Sequence, residues 1–216
     1  MKFKAVIFDL DGTLLDTYVD LANCMNGILA NAGYPVHPVE AYKYFIGEGL
    51  EALVRKTLPE EQRTEENIKK YFAEIKKVYH DRWAETSKPY DGIENLLAEL
   101  EKLDIPFSVL SNKADEFTNV MIRTLLKQFR FSFIQGAVEG KPKKPDPTLG
   151  LELVKKLNVK PEEVLYVGDT NIDMMTAKNA GFHSVGALWG FRTKDELVEN
   201  GARELAAHPL DILKML

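Results

Sequence analysis

The chain has 216 residues, of which 45% are hydrophobic, 28% charged and 10% aromatic, a globular composition with length for one ordinary domain and a smaller appended one. A formal net charge of -5 leaves no basic footprint for nucleic acid, and the single cysteine, Cys24, excludes an intramolecular disulfide and a four-thiolate metal site. No run of about 18 apolar residues exists to span a membrane, and the apolar start is too short for a signal segment, so a cytoplasmic protein with neither membrane nor nucleic acid as partner is expected.

In chain order, β-rich apolar runs fall at 3–8, 106–110, 131–135, 164–167 and 183–187, each followed by polar residues or glycine. Helical signals lie between the later ones: Asp91-Gly92 before 93–103, Asp115 before 116–128, and Pro147 opening 148–157. Alternating strands and helices predict a doubly wound α/β fold with a parallel sheet. Residues 16–88 break the alternation. They show helical periodicity, as in 20–29 and 66–83, without a convincing strand, and they are too long for a crossover. This predicts a helical cap domain over 16–88 and a core over 1–15 and 89–216. No internal repeat is visible.

The chemistry-bearing residues follow the predicted strands, where a doubly wound sheet exposes its ligand crevice. After the first comes Asp9-Leu10-Asp11-Gly12-Thr13. Residues two apart on an extended chain point the same way, so both carboxylates can address one reacting centre, as nucleophile and as proton donor or acceptor. Read alone, Asp-Gly is also a plain turn signal. After the second strand comes Ser111-Asn112, whose serine taken alone is equally a helix cap or turn residue. Further on stand Lys144-Pro145-Asp146-Pro147, with Lys141 and Lys143 as neighbouring cations, and Val167-Gly168-Asp169-Thr170-Asn171-Ile172-Asp173. That last stretch also reads as a strand-to-helix turn capped by Thr170 or Asp169.

Together, in this order, these runs resemble the four motifs of the haloacid dehalogenase superfamily phosphatases. The resemblance implies a magnesium-dependent phosphomonoester hydrolase with Asp9 as nucleophile, Asp11 as general acid and base, and Lys144 as the balancing cation. It implies Mg2+ on the Asp9 carboxylate, the Asp11 backbone carbonyl and Asp169, with Asp173 behind them orienting a metal-bound water. Thr13, Ser111, Asn112 and Lys144 are implied on the substrate side. The second aspartate, Asp11, disfavours dehalogenation.

The helical insert after the first motif resembles the caps of phosphoglycolate phosphatases and phosphoglucomutases. Residues 9–21 and Phe45-Ile46-Gly47-Glu48-Gly49-Leu50 look like phosphoglycolate phosphatase sequences in particular. Gly47 and Gly49 would let a cap loop bring backbone amides near a small anion. A small phosphate ester is the expected partner, the protein being a monomer or weak homodimer; a phosphosugar mutase and a pyrophosphatase are the alternatives. Arg55, Lys113 and Arg192, as lone charges, read as surface residues. Trp189-Gly190-Phe191 reads as packing, and the histidines 37, 80, 183 and 208 have no metal-ligand spacing.

Overall fold

In the computed structural model, which describes residues 2–216, strand β1 (Ala5–Phe8) is buried along its whole length. Met1, the first residue of the expected core, lies outside the described residues. Side chains alternate across a strand, so Val6 and Phe8 join one apolar cluster while Ala5 and Ile7 join another. A strand apolar on both faces belongs in a parallel sheet covered by helices on either side.

After β1 come the two-residue strand β2 (Leu15–Asp16), helices α1 (Tyr18–Asn31), α2 (Tyr42–Phe45), α3 (Leu50–Thr57) and α4 (Glu65–Arg82), and strand β3 (Lys88–Pro89). The chain then alternates through α5 (Ile93–Lys102), β4 (Phe107–Ala114), α6 (Asp115–Leu125), β5 (Phe133–Ala137), α7 (Thr148–Leu157), β6 (Val164–Gly168), α8 (Asn171–Ala180), β7 (His183–Ala187), α9 (Lys194–Glu199) and β8 (Glu204–Ala206). Six strands form one parallel sheet in the order β5-β4-β1-β6-β7-β8. The predicted doubly wound α/β fold is present, with three strands beyond the five expected: β8, three residues long, pairs with β7 at the edge of the large sheet, and β2 and β3 form a two-residue pair of their own.

Leu96, Leu100 and Met121 of α5 and α6 pack with Val6 and Phe8, and Leu149, Leu153 and Ala177 of α7 and α8 pack with Ile7 on the opposite face. From the central β1 the chain moves outward first through β4 and β5, then through β6, β7 and β8 on the other side. The crevice where strand order reverses therefore lies at the C-terminal end of β1.

The segment between β2 and β3 is helical, and its helices share an apolar cluster that includes Leu21, Met25, Ile28, Leu53, Ile68 and Ile75. The chain leaves and re-enters the α/β layers through adjacent strands, with Leu15 opposite Pro89 and Asp16 opposite Lys88. Asp20, buried in α1, closes this junction. Its carboxylate accepts hydrogen bonds from the backbone N–H groups of Thr86 and Ser87 at 3.0 and 2.8 Å and from their hydroxyls at 2.6 and 2.7 Å. Among the described residues, no helix is long and apolar enough to cross a membrane.

Hydrogen bonds to a buried charge are worth more than neutral ones, and deleting the acceptor strands its donors. Asp20→Ala should therefore lower unfolding stability by about 3 kcal/mol. A urea midpoint equal to that of the parent protein would contradict this role for Asp20.

Candidate active site

Register brings the functional segments together. Phe8 pairs with Val109 of β4 and Val167 of β6, so the residues following these positions emerge at one end of the sheet. The Asp9 N–H donates to the Val167 carbonyl at 2.9 Å, and residues 10–15 fold back as a tight turn in which Leu14 and Leu15 donate to the Leu10 carbonyl. Gly12 takes φ +87° in this turn, and a Cβ there would lie 2.2 Å from Asp169 Oδ2. Glycine is required twice at this point, for its conformation and for the close approach.

At this end Asp9, Asp169 and Asp173 are all buried and offer carboxylate oxygens within 4.8 Å of one another. Among the described residues Lys144 supplies the one ammonium in contact with the cluster, 2.8 Å from Asp9 Oδ1 and 2.7 Å from Asp173 Oδ1, with the Tyr166 hydroxyl at 3.1 Å. Its approach to Asp9 is a charge contact without hydrogen-bond alignment, which leaves Asp9 Oδ1 buried and unbonded. Burial, reinforced by Asp173 and opposed by Lys144, pushes the Asp9 carboxyl up to about 7. Burial also raises Asp169 well above the ordinary carboxylate range, with the charges of Asp173 and Asp9 adding to it. For Lys144 burial works against the charge, but Asp173 and Asp9 outweigh it and hold the ammonium well above its usual pKa.

Three carboxylates against one ammonium leave negative charge uncompensated, and the donors are all oxygens. That set fits a hard divalent cation. Asp9 has Lys144 against its Oδ1 only, and no hydrogen bond is formed to its Oδ2 by any described residue. Asp169 accepts one hydrogen bond on each oxygen, from Thr13 Oγ1 at 2.7 Å and from the Phe191 N–H at 2.8 Å, which leaves lone pairs for a metal. Asp173 is more committed. Its Oδ2 accepts from the Thr170 N–H and hydroxyl in a capping box that starts α8, while Oδ1 holds Lys144. The turn reading and the acidic-centre reading of this stretch thus describe the same residues.

Asp11 lies apart from the three. Its Oδ1 accepts from the Thr17 hydroxyl at 2.6 Å, and Lys113 Nζ stands 3.0 and 3.2 Å from its two oxygens. Lys113 corrects the surface reading. Its side chain is 8% exposed, lies over the Tyr79 ring at 4.8 Å and donates to the Tyr79 hydroxyl at 3.1 Å. By contrast, Arg55 is an exposed partner of Glu51 and Glu65, and Arg192 stacks on Tyr44 at 4.6 Å while donating to the Lys43 carbonyl.

Several expected substrate contacts are turned elsewhere. Thr13 is fully buried and spends its hydroxyl on Asp169, away from the cavity. The Asn112 amide accepts from the Lys144 N–H at 2.8 Å and donates to the Lys144 and Gly47 carbonyls, both at 3.0 Å. It fixes the backbone that carries Lys144. The Lys144 side chain contacts Asp9 without reaching the cavity, whereas Ser111, Gly47 and Asn112 itself line it. Unanticipated support comes from Trp189, which donates to the Thr13 carbonyl at 2.9 Å, and from Gly190, where a Cβ would meet Asp169 Cβ at 2.2 Å. A glycine beside two aromatics after a strand was the available signal.

A cavity of about 540 Å³ opens over Asp9, Asp11 and Ser111, roofed by residues of α3 and α4 such as Leu50, Phe72 and Tyr79. This volume lies within the range of small-molecule sites.

Fold and cavity define a class: a doubly wound α/β enzyme whose acidic centre sits at the switch point. The phosphoglycolate phosphatase of Aquifex aeolicus is 31% identical over 215 residues, 99% of this chain and 96% of that protein. The N-acetylmuramic acid 6-phosphate phosphatase of Pseudomonas putida is 29% identical over 217 residues, 100% of this chain and 97% of that one. A crystal structure from Lactobacillus delbrueckii subsp. bulgaricus matches with a TM-score of 0.93 at 29% identity, covering 100% of this chain and 98% of its own. The chain belongs to the haloacid dehalogenase-like hydrolases, whose family profile matches residues 6–187.

The metal-free site should leave a pH signature. The folded-state value of Asp9 lies above the unfolded one, so the folded chain keeps a proton that the unfolded chain releases. Stability from that proton is complete below 3.8 and lost as pH rises through about 7. Asp169 acts in the same direction, while Lys144 titrates far above this window. In EDTA the Tm should fall between about pH 4 and about pH 7, and Asp9→Asn should flatten the decline. Parallel Tm profiles for the two proteins would count against a raised Asp9.

Proposed function

We propose that this hydrolase is a magnesium-dependent phosphomonoester phosphatase that works through an aspartyl-phosphate on a short phosphorylated acid such as 2-phosphoglycolate. The observation that carries the reading is Asp9, a carboxylate that borders the cavity, clusters with the carboxylates of Asp169 and Asp173 and has the Lys144 ammonium 2.8 Å from its buried Oδ1. The phosphatase names of relatives that align along nearly the full chain support it. The core over 1–15 and 89–216 carries the reacting groups, and the cap over 16–88 covers them. A cytoplasmic protein, monomeric or weakly dimeric, completes the proposal; the free, buried Cys24 suits a reducing compartment.

In the first step an Asp9 oxygen forms a bond to phosphorus as the ester oxygen leaves, and Asp11 delivers a proton to that oxygen. In the second, Asp11 takes a proton from the water that attacks the aspartyl-phosphate, releasing inorganic phosphate and restoring Asp9. Thr17 and Lys113 hold Asp11 in place for both transfers. Ser111 lines the cavity to receive a phosphate oxygen, and Lys144 stays fixed by Asp173 and Asn112 while it faces the nucleophile. Held by Asp9, the Asp11 backbone carbonyl and Asp169, Mg2+ would offset the like charges of carboxylate and phosphate.

A phosphate-release panel with and without Mg2+ tests the reading, and it includes 2-phosphoglycolate, pyrophosphate and a hexose 1-phosphate. Release from 2-phosphoglycolate is expected. Conversion of the hexose phosphate without free phosphate would make the protein a mutase instead. Asp11→Asn should lower kcat by about 10²–10⁴, and Asp9→Asn should abolish turnover. Near-parental turnover in either variant would overturn the corresponding role.

A further inference from the structure

The loop that follows β7 has no task in the phosphatase reading, although it touches the acidic centre and the helical insert together. Trp189 donates to the Thr13 carbonyl at 2.9 Å, and the Phe191 N–H donates to Asp169 Oδ2 at 2.8 Å. Gly190 between them is pressed against the centre: a Cβ there would lie 2.2 Å from Asp169 Cβ and 2.5 Å from the Gly12 carbonyl oxygen. The loop therefore has no slack on the side of Asp169.

Its other side belongs to the insert. The Phe191 ring is buried in the insert's own apolar cluster and meets the Tyr18 ring edge-on, with centroids 6.0 Å apart. Among the described residues buried in that cluster, only Phe117 and Phe191 come from outside the insert. Arg192 extends the hold, stacking on Tyr44 at 4.6 Å and donating to the Lys43 carbonyl. Phe191 thus has its N–H on a carboxylate of the centre and its ring in the core of the insert. Both are joined through one Cα, so a shift of the insert that carries the ring also swings the N–H.

We infer that Phe191 is a positioning residue for Asp169, and that through it the binding of a divalent cation and the seating of the insert reinforce each other. Asp169 accepts one hydrogen bond on each oxygen, from Thr13 of the core and from Phe191. Of the two, only the Phe191 bond answers to the insert; when the ring leaves its seat, Thr13 alone fixes the carboxylate. Groups behind a metal-binding side chain set its orientation, and losing one weakens metal binding about 10–100-fold. A contact that helps the cation when the insert is seated helps the insert by the same factor when the cation is bound. This rests on the proposal that Asp169 takes Mg2+ and extends it to a residue outside the four motif runs.

The test measures Mg2+ binding directly, by calorimetric titration of the whole protein without substrate. Phe191→Ala keeps the N–H but empties the seat of the ring, and should raise the Mg2+ Kd about tenfold. Phe191→Leu refills part of the seat, and its Kd should lie between those of Phe191→Ala and the parent. Phe117→Ala is the comparison, since it removes the other outside ring from the cluster and Phe117 forms no hydrogen bond with Asp9, Asp169 or Asp173. Its Kd should stay at the parent's. Hydrogen exchange supplies the converse: Mg2+ should slow exchange of the α1 and α2 amides in the parent by the factor that Phe191→Ala loses in affinity, and much less in that variant. Should Phe191→Ala fail to fold, Phe191→Leu and Arg192→Ala take its place, each with a Kd above the parent's. A Kd unmoved by the Phe191 substitutions, or raised as much by Phe117→Ala, overturns the inference and leaves the phosphatase reading standing. No Mg2+ binding to the parent protein overturns the inference together with the metal part of that reading.

Discussion

One buried ammonium holds the centre of this molecule together. Lys144 touches Asp9 and Asp173 at once, and among the described residues neither carboxylate has another cation at hand. Removing one member of a buried charge group leaves its partners uncompensated, at a cost of about 3–5 kcal/mol. Much of the neighbouring structure is arranged to keep Lys144 where it is. Asn112 grips its backbone from both sides, and the capping box between Thr170 and Asp173 sets the carboxylate that anchors it. Glycines allow the crowding: a Cβ at Gly168 would lie 2.3 Å from Asp173 Cβ, and Gly12 and Gly190 both abut Asp169. The charged groups and the small residues around them form one constraint.

The helical insert is tied to that centre at separate points. Tyr79 of α4 contacts Lys113, which holds Asp11. The Gly47 carbonyl accepts from Asn112, which holds Lys144. Arg192, after β7, reaches the Lys43 carbonyl and the Tyr44 ring. Each tie runs through a side chain that also positions, or borders, a residue of the site. Displacement of the insert therefore perturbs both Asp11 and Lys144, so the roof of the cavity is coupled to the charged groups beneath it through contacts rather than through distance alone.

What was legible in the sequence was whatever has a local signature. Apolar runs ending in Asp9 and Asp169 mark buried parallel strands and the crevice at their ends, and register then brings the two aspartates together. The strand β8 was not legible, because three edge residues have no periodicity to read. Helices α2 and α3 are too short to stand out in a segment already helical in pattern. Lys113 looked like a lone charge because its partners are distant in sequence: Asp11 is 102 residues away and Tyr79 is 34. Thr13 and Asn112 lie in the motif runs, yet the motif does not say which way a side chain turns. Their partners, Asp169 and the backbone of Lys144, appear only once the sheet closes.

Asp9 and Asp11 are two residues apart and nonetheless stand in opposite electrostatic settings. Asp9 faces two further carboxylates with one shared ammonium, and without added charge it holds its proton up to about 7. Asp11 has an ammonium of its own and a hydroxyl donor. Neighbouring carboxylates in unlike environments can take unlike tasks. A nucleophile must be ionised, so in the role proposed for it Asp9 would need further positive charge in this setting at neutral pH. On the proposed reading the cation would serve Asp9 as much as the phosphate: the clustering of Asp169 and Asp173 that offers oxygen ligands to a metal is also what raises the Asp9 carboxyl.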